Sequence, residues 1–396
     1  MNDENHSALQ KPEKPEITND KFLWLISNGV SILFLVLLAL MWYRINTIYQ
    51  PREGQLTDDA KVTKELDRYN LDSTTRIPTG VFINTFRFKG ASEVALTGIV
   101  WQTYLVGEHD HIKRGYIFPE EVDALVETTV AYSKTINNKQ TIGWYFDATL
   151  NQPFNYSKYP LDHKVVWLRM WHKDGWGSDN DNDNSVVLVP DLSSYDSTGL
   201  HDTFGLDKDK TNYALGGWTI NETFFDYKSI QYGTTWGIRY PADLDTQGFP
   251  DLRFNIVIKR KYFNAAVTNF MPLLIVAVML FASLMLVTQD KKRADAYGFT
   301  ISNTISTAAG LLFVLIVSHV QLRQEFPGAD IVYIEYFYIL MYFIILGIIF
   351  NTYMFGQGRL RRYNRDNIIP KLVYWPLIFG TAIIITLVMF QDTLLT

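Results

Sequence analysis

The sequence predicts an α+β membrane protein: an antiparallel β-sandwich outside the membrane, a four-helix transmembrane bundle after it, and one further transmembrane helix at the N-terminus. Three observations predict this. Long apolar runs are confined to residues 22–43 and to the stretch after 263. The stretch between them is polar and aromatic, with short β-prone runs separated by turn residues. The 396 residues are too many for one small domain. The chain divides into a cytoplasmic tail of disordered composition over 1–21, a membrane helix over 22–43, an exposed connector over 44–75, the sandwich over 76–262 and the bundle over 263–396.

A crossing helix needs about 20 apolar residues. Five runs qualify: Phe22–Tyr43, Ala265–Val287, Thr300–Val320, Ile331–Phe355 and Leu372–Phe390. The one Asp, Glu, Lys or Arg side chain inside them is Glu335, near one end of the fourth. Basic residues set the orientation. The 290–295 loop carries Lys291, Lys292 and Arg293, and the 356–371 loop carries Arg359, Arg361, Arg362, Arg365 and Lys371. The loop between these two has only Arg323, and the tail after Phe390 has no basic residue. The two basic loops and the N-terminus are therefore read as cytoplasmic, and the β-domain and C-terminus as periplasmic or extracellular, in a multi-pass cell membrane. No small-x-small site follows the first run, which reads as an uncleaved anchor.

Composition narrows the function classes. The chain has no cysteine, so an outer domain holds together by packing alone, and thiolate chemistry is excluded. A net charge of -5 argues against a nucleic-acid partner. No nucleophile elbow, HExxH or P-loop is present, and an enzyme is not expected.

Within the sandwich region, Val81, Ile83 and Phe86 lie in one β-prone run, Ile99–Tyr104 form a second and Val165–Trp171 a third. Leu252, Phe254, Ile256 and Ile258 alternate with Arg253, Asn255 and Lys259, which predicts one buried face and one wet face. That strand runs directly into the second membrane run. Glu120–Tyr132, after Pro119, shows helical periodicity. In the third membrane run, Thr300, Thr304 and Thr307, then Leu311 and Val314, then Ser318 and Gln321 share one helical face. Such a stripe faces water, or bonds between packed helices.

Several motifs follow one another in an order that resembles a known family. Tyr159-Pro160-Leu161-Asp162 precedes the Lys164–Trp171 strand. Gly98-Ile99-Val100-Trp101-Gln102-Thr103-Tyr104 resembles a second strand with its tryptophan, and Gly217-Trp218-Thr219-Ile220 a ninth strand. Lys259-Arg260-Lys261 stands just before the second membrane run, Pro272 inside it, and Phe326-Pro327 between the next two runs. Over about 75–395 the chain resembles the pentameric ligand-gated ion channels, as a cysteine-less prokaryotic member of the Cys-loop receptor superfamily with an extra N-terminal span.

The resemblance implies a homopentamer in the bilayer, gated by a small-molecule or ion agonist, with no required cofactor. The Thr300–Gln321 stripe becomes the pore lining, with a hydrophobic constriction near Leu311 and Val314. Asp295 at the inner mouth favours cations, whereas Lys292 and Arg293 favour anions. Residues 51–262 hold six more acidic than basic side chains, which tips the expectation to cations. Asp162, Pro160, Arg260 and Pro327 become coupling residues, with Asp162 paired to Arg260. The agonist is expected among aromatics: Trp101, Tyr116, Trp171, Trp176, Trp236 and Tyr240. Separately from the resemblance, Asp179, Asp181 and Asp183 alternate with asparagines and offer oxygen ligands to a modulating Ca²⁺, against the plainer reading of a solvated acidic loop. A sensor of the same fold that does not conduct is the alternative.

Overall fold

The computed structural model describes residues 17–47, 54–69, 75–122, 129–173, 186–206, 217–230, 249–288, 292, 294–295, 300–326, 330–358 and 365–394. The chain forms two units. One is helical and comprises 1–48, 268–322 and 331–396; the other is β-rich and comprises 49–267 with 323–330.

The β-rich unit holds two sheets. The strands are β1 Thr75–Phe88, β2 Glu93–Leu105, β3 Tyr116–Ile117, β4 Thr129–Ile136, β5 Lys139–Asn151, β6 His163–His172, β7 Val186–Pro190, β8 Trp218–Ile230 and β9 Phe249–Arg260. The first sheet runs β4-β5-β2-β1-β7 and the second β3-β6-β9-β8. Alternation puts Val81, Ile83, Val94, Leu96, Val100, Tyr104, Leu168, Phe225, Phe254 and Ile256 into one core between them. The expected antiparallel sandwich needs one correction: β1 pairs with β7 in parallel, so the first sheet is mixed.

Three local expectations also change. Residues 44–75 are more than an exposed connector, because Asp59–Asp67 is a helix, α2, capped by the Asp58 carboxylate on Lys61 N–H at 2.9 Å. Its Val62 and Leu66 are buried in the sandwich core together with Leu56, and Leu56 N–H donates to Phe225 C=O at 2.8 Å on the edge strand β8. The part of Glu120–Tyr132 from Thr129 onward is strand β4 rather than helix. It turns into β5 through Asn137 and Asn138, both at positive φ, the conformation a two-residue hairpin turn requires. The second face of β9 is not wet throughout: Asn255 is buried and donates to Asp226 Oδ1 at 2.7 Å, and Val257 packs with Val165 and Phe224.

Among the described residues, five helices are long and apolar enough to cross a membrane. They are α1 Ile17–Thr47, α3 Tyr262–Leu286, α4 Ile301–Glu325, α5 Glu335–Gly356 and α6 Ile368–Met389, with a short α7 at Gln391–Leu394. The first is part of the bundle. Ser27 Oγ donates to Leu372 C=O at 2.5 Å, the Phe34 ring lies over Gly380, and Trp42 Nε1 donates to the Tyr333 hydroxyl at 2.8 Å. Tyrosines on α5 and α6 tie them to α3: Tyr338 OH donates to Asn269 C=O at 3.2 Å and Tyr374 OH to Ala277 C=O at 2.7 Å.

Leu66 is fully buried, so Leu66→Ala is expected to destabilise the β-rich unit by about 2–5 kcal/mol. Thermal unfolding of the full chain in detergent measures this, and an unchanged midpoint would show that α2 is not part of the core.

Candidate functional site

A buried charged cluster of the β-rich unit centres on Asp162, which follows the cis Tyr159–Pro160 bond and precedes β6. Its carboxylate takes Arg260 Nε at 2.6 Å and Nη2 at 3.3 Å, and Lys164 Nζ at 3.1 Å. Register explains the meeting, since β6 and β9 are antiparallel with His163 opposite Lys259, which sets Asp162 beside Arg260. Aromatic faces sheathe the cations. The Arg260 guanidinium lies 3.9 Å from the Trp218 ring and 4.7 Å from Tyr159, and Lys164 Nζ lies 3.6 Å from Tyr156. Burial alone would raise the Asp162 carboxyl, but Arg260 and Lys164 outweigh it and hold the group below the usual carboxylate range. Burial also pulls the Lys164 ammonium below the usual lysine range, against the opposing pull of Asp162. Phe326, the residue after α4, completes the cluster. It is buried against Tyr156 at 4.9 Å and Tyr159 at 4.7 Å. The structure thus gathers Pro160, Asp162 and Arg260 in one place, while Pro327 lies outside the described residues.

A second feature is a row across the outward face of the first sheet. Tyr132 of β4 and Trp101 of β2 both pair with Gly143 of β5, and Trp101 pairs with Gly80 of β1. A Cβ at Gly80 would fall 2.1 Å from the Trp101 ring, and one at Gly143 would fall 2.3 Å from the Tyr132 ring. The two glycines therefore let both rings lie flat on the sheet. At the β7 end, Asp191 accepts Trp101 Nε1–H at 2.9 Å, and burial together with this carboxylate raises the Tyr132 phenol. Half-exposed aromatic faces ending at a carboxylate form a surface suited to an organic cation.

Of the other expected ligand residues, the two that are described, Tyr116 and Trp171, are not brought to this row. Tyr116 is core, packed against Phe118 at 4.9 Å and Trp144 at 6.0 Å, and burial pushes its phenol well up. Trp171 is half-buried in the other sheet, 5.5 Å from the Arg169 guanidinium. Trp176, Trp236 and Tyr240 lie outside the described residues, as do Asp179, Asp181 and Asp183. Among the described residues no group of three or more His, Asp or Glu side chains could hold a metal ion. The sequence pattern does not single out Tyr132 and Asp191, although Gly80 and Gly143 within strands are the signal that another group approaches those strands closely.

On α4 the buried face is Thr304, Ala308, Leu315 and Leu322. This rotates the expected stripe. Thr304 points into its own bundle, Leu311 and Ser318 are half-buried, and Thr300, Thr307, Val314 and Gln321 are exposed. The most exposed face lies about one residue earlier, roughly 100° round the helix. It carries Ser302, Ser306, Phe313, Val317, Val320 and Gln324. The reason is that the Thr304 hydroxyl bonds back to Thr300 C=O at 3.4 Å, so its polarity does not require water. Asp295 and Lys292 are both exposed.

Because its folded value is depressed, the Asp162 carboxylate contributes stability above its ordinary pKa of about 3.9, and that contribution is lost as pH falls below it. Asp162→Asn leaves the buried Lys164 and the half-buried Arg260 without their carboxylate and is expected to cost about 3–5 kcal/mol near neutral pH. It should also flatten the acid limb of a stability–pH curve, and an unchanged limb would remove Asp162 as its source. No family model matches the chain, and no curated protein is similar enough in sequence to serve as a relative.

Proposed function

We propose that the chain is a subunit of a pentameric, agonist-gated ion channel in a cell membrane, with α4 lining the pore. The observation that carries the reading is the exposed face of α4. It bears serines at one end, a glutamine at the other and bulky apolar side chains between, in a helix of membrane-crossing length. A polar face in such a helix looks at water or at other protein. Five copies of this face around an axis form a water path wetted at Ser302 and Ser306 and narrowed by Phe313 and Val317, where drying closes it. The resemblance of Tyr159–Asp162, Lys259–Lys261 and Pro272 to the channel family supports the same reading.

In this reading the Asp162–Arg260 cluster couples the two units. Arg260 ends β9 and α3 begins two residues later, while Phe326 follows α4 directly. Agonist binding on the aromatic face of the sandwich moves the cluster, and the chain carries that motion to α3 and to α4 at once. The excess of acidic residues in the β-rich unit favours cations at the entrance.

The absence of cysteine makes the pore test clean, because any introduced thiol is alone. In single-channel or vesicle-flux recordings, Ser306→Cys and Val317→Cys are expected to react with a water-soluble thiol reagent and lose current at least about tenfold faster than Thr304→Cys. Equal rates at the three positions would sink the pore assignment. Arg260→Ala still leaves Asp162 its contact with Lys164, so it is expected to assemble as a pentamer and stay closed to agonist. Wild-type currents from it would remove the coupling role.

A further inference from the structure

We propose that His319, Glu335 and Tyr342 form a proton-binding latch that ties α4 to α5 within the apolar bundle. The latch is a regulatory site for the channel proposed above, and its statement about currents rests on that reading; the binding of the proton does not.

Glu335 opens α5 and is 3 % exposed, although the helix it opens is otherwise free of charge. One carboxylate oxygen accepts the N–H of Val332 at 2.7 Å, and the other lies 3.4 Å from His319 Nε2. His319 Nδ1 lies 3.0 Å from the Tyr342 hydroxyl, and its ring stacks on Tyr338 at 5.0 Å with planes 19° apart. One imidazole of α4 is therefore gripped by three side chains of α5, and Tyr338 is itself bonded to α3. An ionisable pair held inside a membrane bundle is costly to keep and marks a functional site by default.

The two ring nitrogens make the site bistable. A neutral imidazole has one donor and one acceptor. With Nε2–H donating to Glu335, Nδ1 accepts from the Tyr342 hydroxyl. A proton arriving at Nδ1 makes both nitrogens donors, so the Tyr342 hydroxyl turns and accepts, and the contact with Glu335 becomes an ion pair. Charge-assisted bonds are about twice as strong as neutral ones, and the apolar surroundings strengthen them further. Protonation therefore tightens α4 against α5. It acts in the turn that holds Val317 and Val320, the apolar part of the proposed pore face.

The neighbouring groups leave the exchange to these residues. α3 carries no acidic or basic residue, and α5 carries Glu335 alone. Lys371 of α6 is bonded to Val287 C=O at 2.7 Å and to Asp366 C=O at 3.0 Å. The Tyr333 hydroxyl is engaged with Thr386 and Trp42. On α4 the next ionisable residue is Arg323, whose guanidinium donates to Asp330 C=O at 3.2 Å, with Glu325 two residues beyond it.

The test uses the full chain in lipid between about pH 8 and about pH 5, the span over which imidazole changes charge. Wild-type open probability is expected to change about tenfold or more across it, and His319→Phe and Glu335→Gln less than about twofold. Nitrogen NMR of the imidazoles gives a reading that needs no current, with the His319 signal identified by its loss in His319→Phe. The wild-type ring is expected to carry one proton, on Nε2, at the alkaline end and two at the acid end, and the Nε2 signal to shift in Glu335→Gln, where its carboxylate partner is gone. A wild-type ring that stays singly protonated overturns the latch, whatever the variants do. Currents that ignore pH overturn it as well and leave the channel standing. Proton uptake with the expected Glu335 dependence, in a chain that never conducts, keeps the latch and removes the channel.

Discussion

A carboxylate buried between two cations is the constraint on which the β-rich unit depends. Asp162 sits at the start of β6 and Arg260 at the end of β9, 98 residues apart in the chain. Neither could be buried alone, because an unpaired charge in an apolar interior costs several kcal/mol. Pairing alone does not suffice either, since the remaining donors need partners. Lys164 Nζ also donates to Asn155 C=O at 2.9 Å, and aromatic faces of Trp218, Tyr156 and Tyr159 cover what is left. The cluster therefore pins the Tyr159–Asp162 turn, the end of β9 and Phe326 together; the last two are where the chain leaves for, or returns from, its membrane-length helices.

Elsewhere the unit is organised by what fits on a pleated surface. The Trp101 and Tyr132 rings lie across their neighbours because Gly80 and Gly143 offer no side chain to obstruct them. Strand-interior glycine weakens a sheet through lost packing and added chain entropy. Two of them in one cross-strand row, each under a ring, offset that loss with stacking area and leave a flat aromatic face bounded by Asp191. A binding surface built this way is held by the sheet itself, unlike one carried on loops.

In the helical unit, polarity alone is a poor guide to direction. Thr304 turns inward because its hydroxyl has a partner on its own helix, and Ser27 and Ser31 likewise give their hydroxyls to backbone carbonyls. Glu335 and His319 are inward because they have each other. Gln324 and Ser306 are among the polar side chains left outside. α1 follows the same logic. It settles on α6 through one hydroxyl bond and one ring over Gly380, and Trp42 bonds to Tyr333 just before α5; Leu38, Met41 and Ile45 are buried, while Leu25, Leu33 and Leu40 stay exposed.

The sequence by itself determined the five membrane-length helices, because transfer into hydrocarbon depends on a local run of about 20 apolar residues and on nothing distant. It also determined β1, β2, β6 and β9, whose period-two alternation is again local. It did not reveal α2, whose buried apolar side chains Val62 and Leu66 are too few to show a period and, with Leu56 just before the helix, gain meaning only against the sandwich core. It misread β4, which is exposed along its whole length and so has no buried face to alternate. Tertiary structure alone decided that Asn255 is buried, that Tyr116 is core while Trp101 is not, and which face of α4 is outward. Each of those outcomes turns on a partner contributed by another part of the chain, and a one-dimensional pattern carries no record of which segment arrives to cover it.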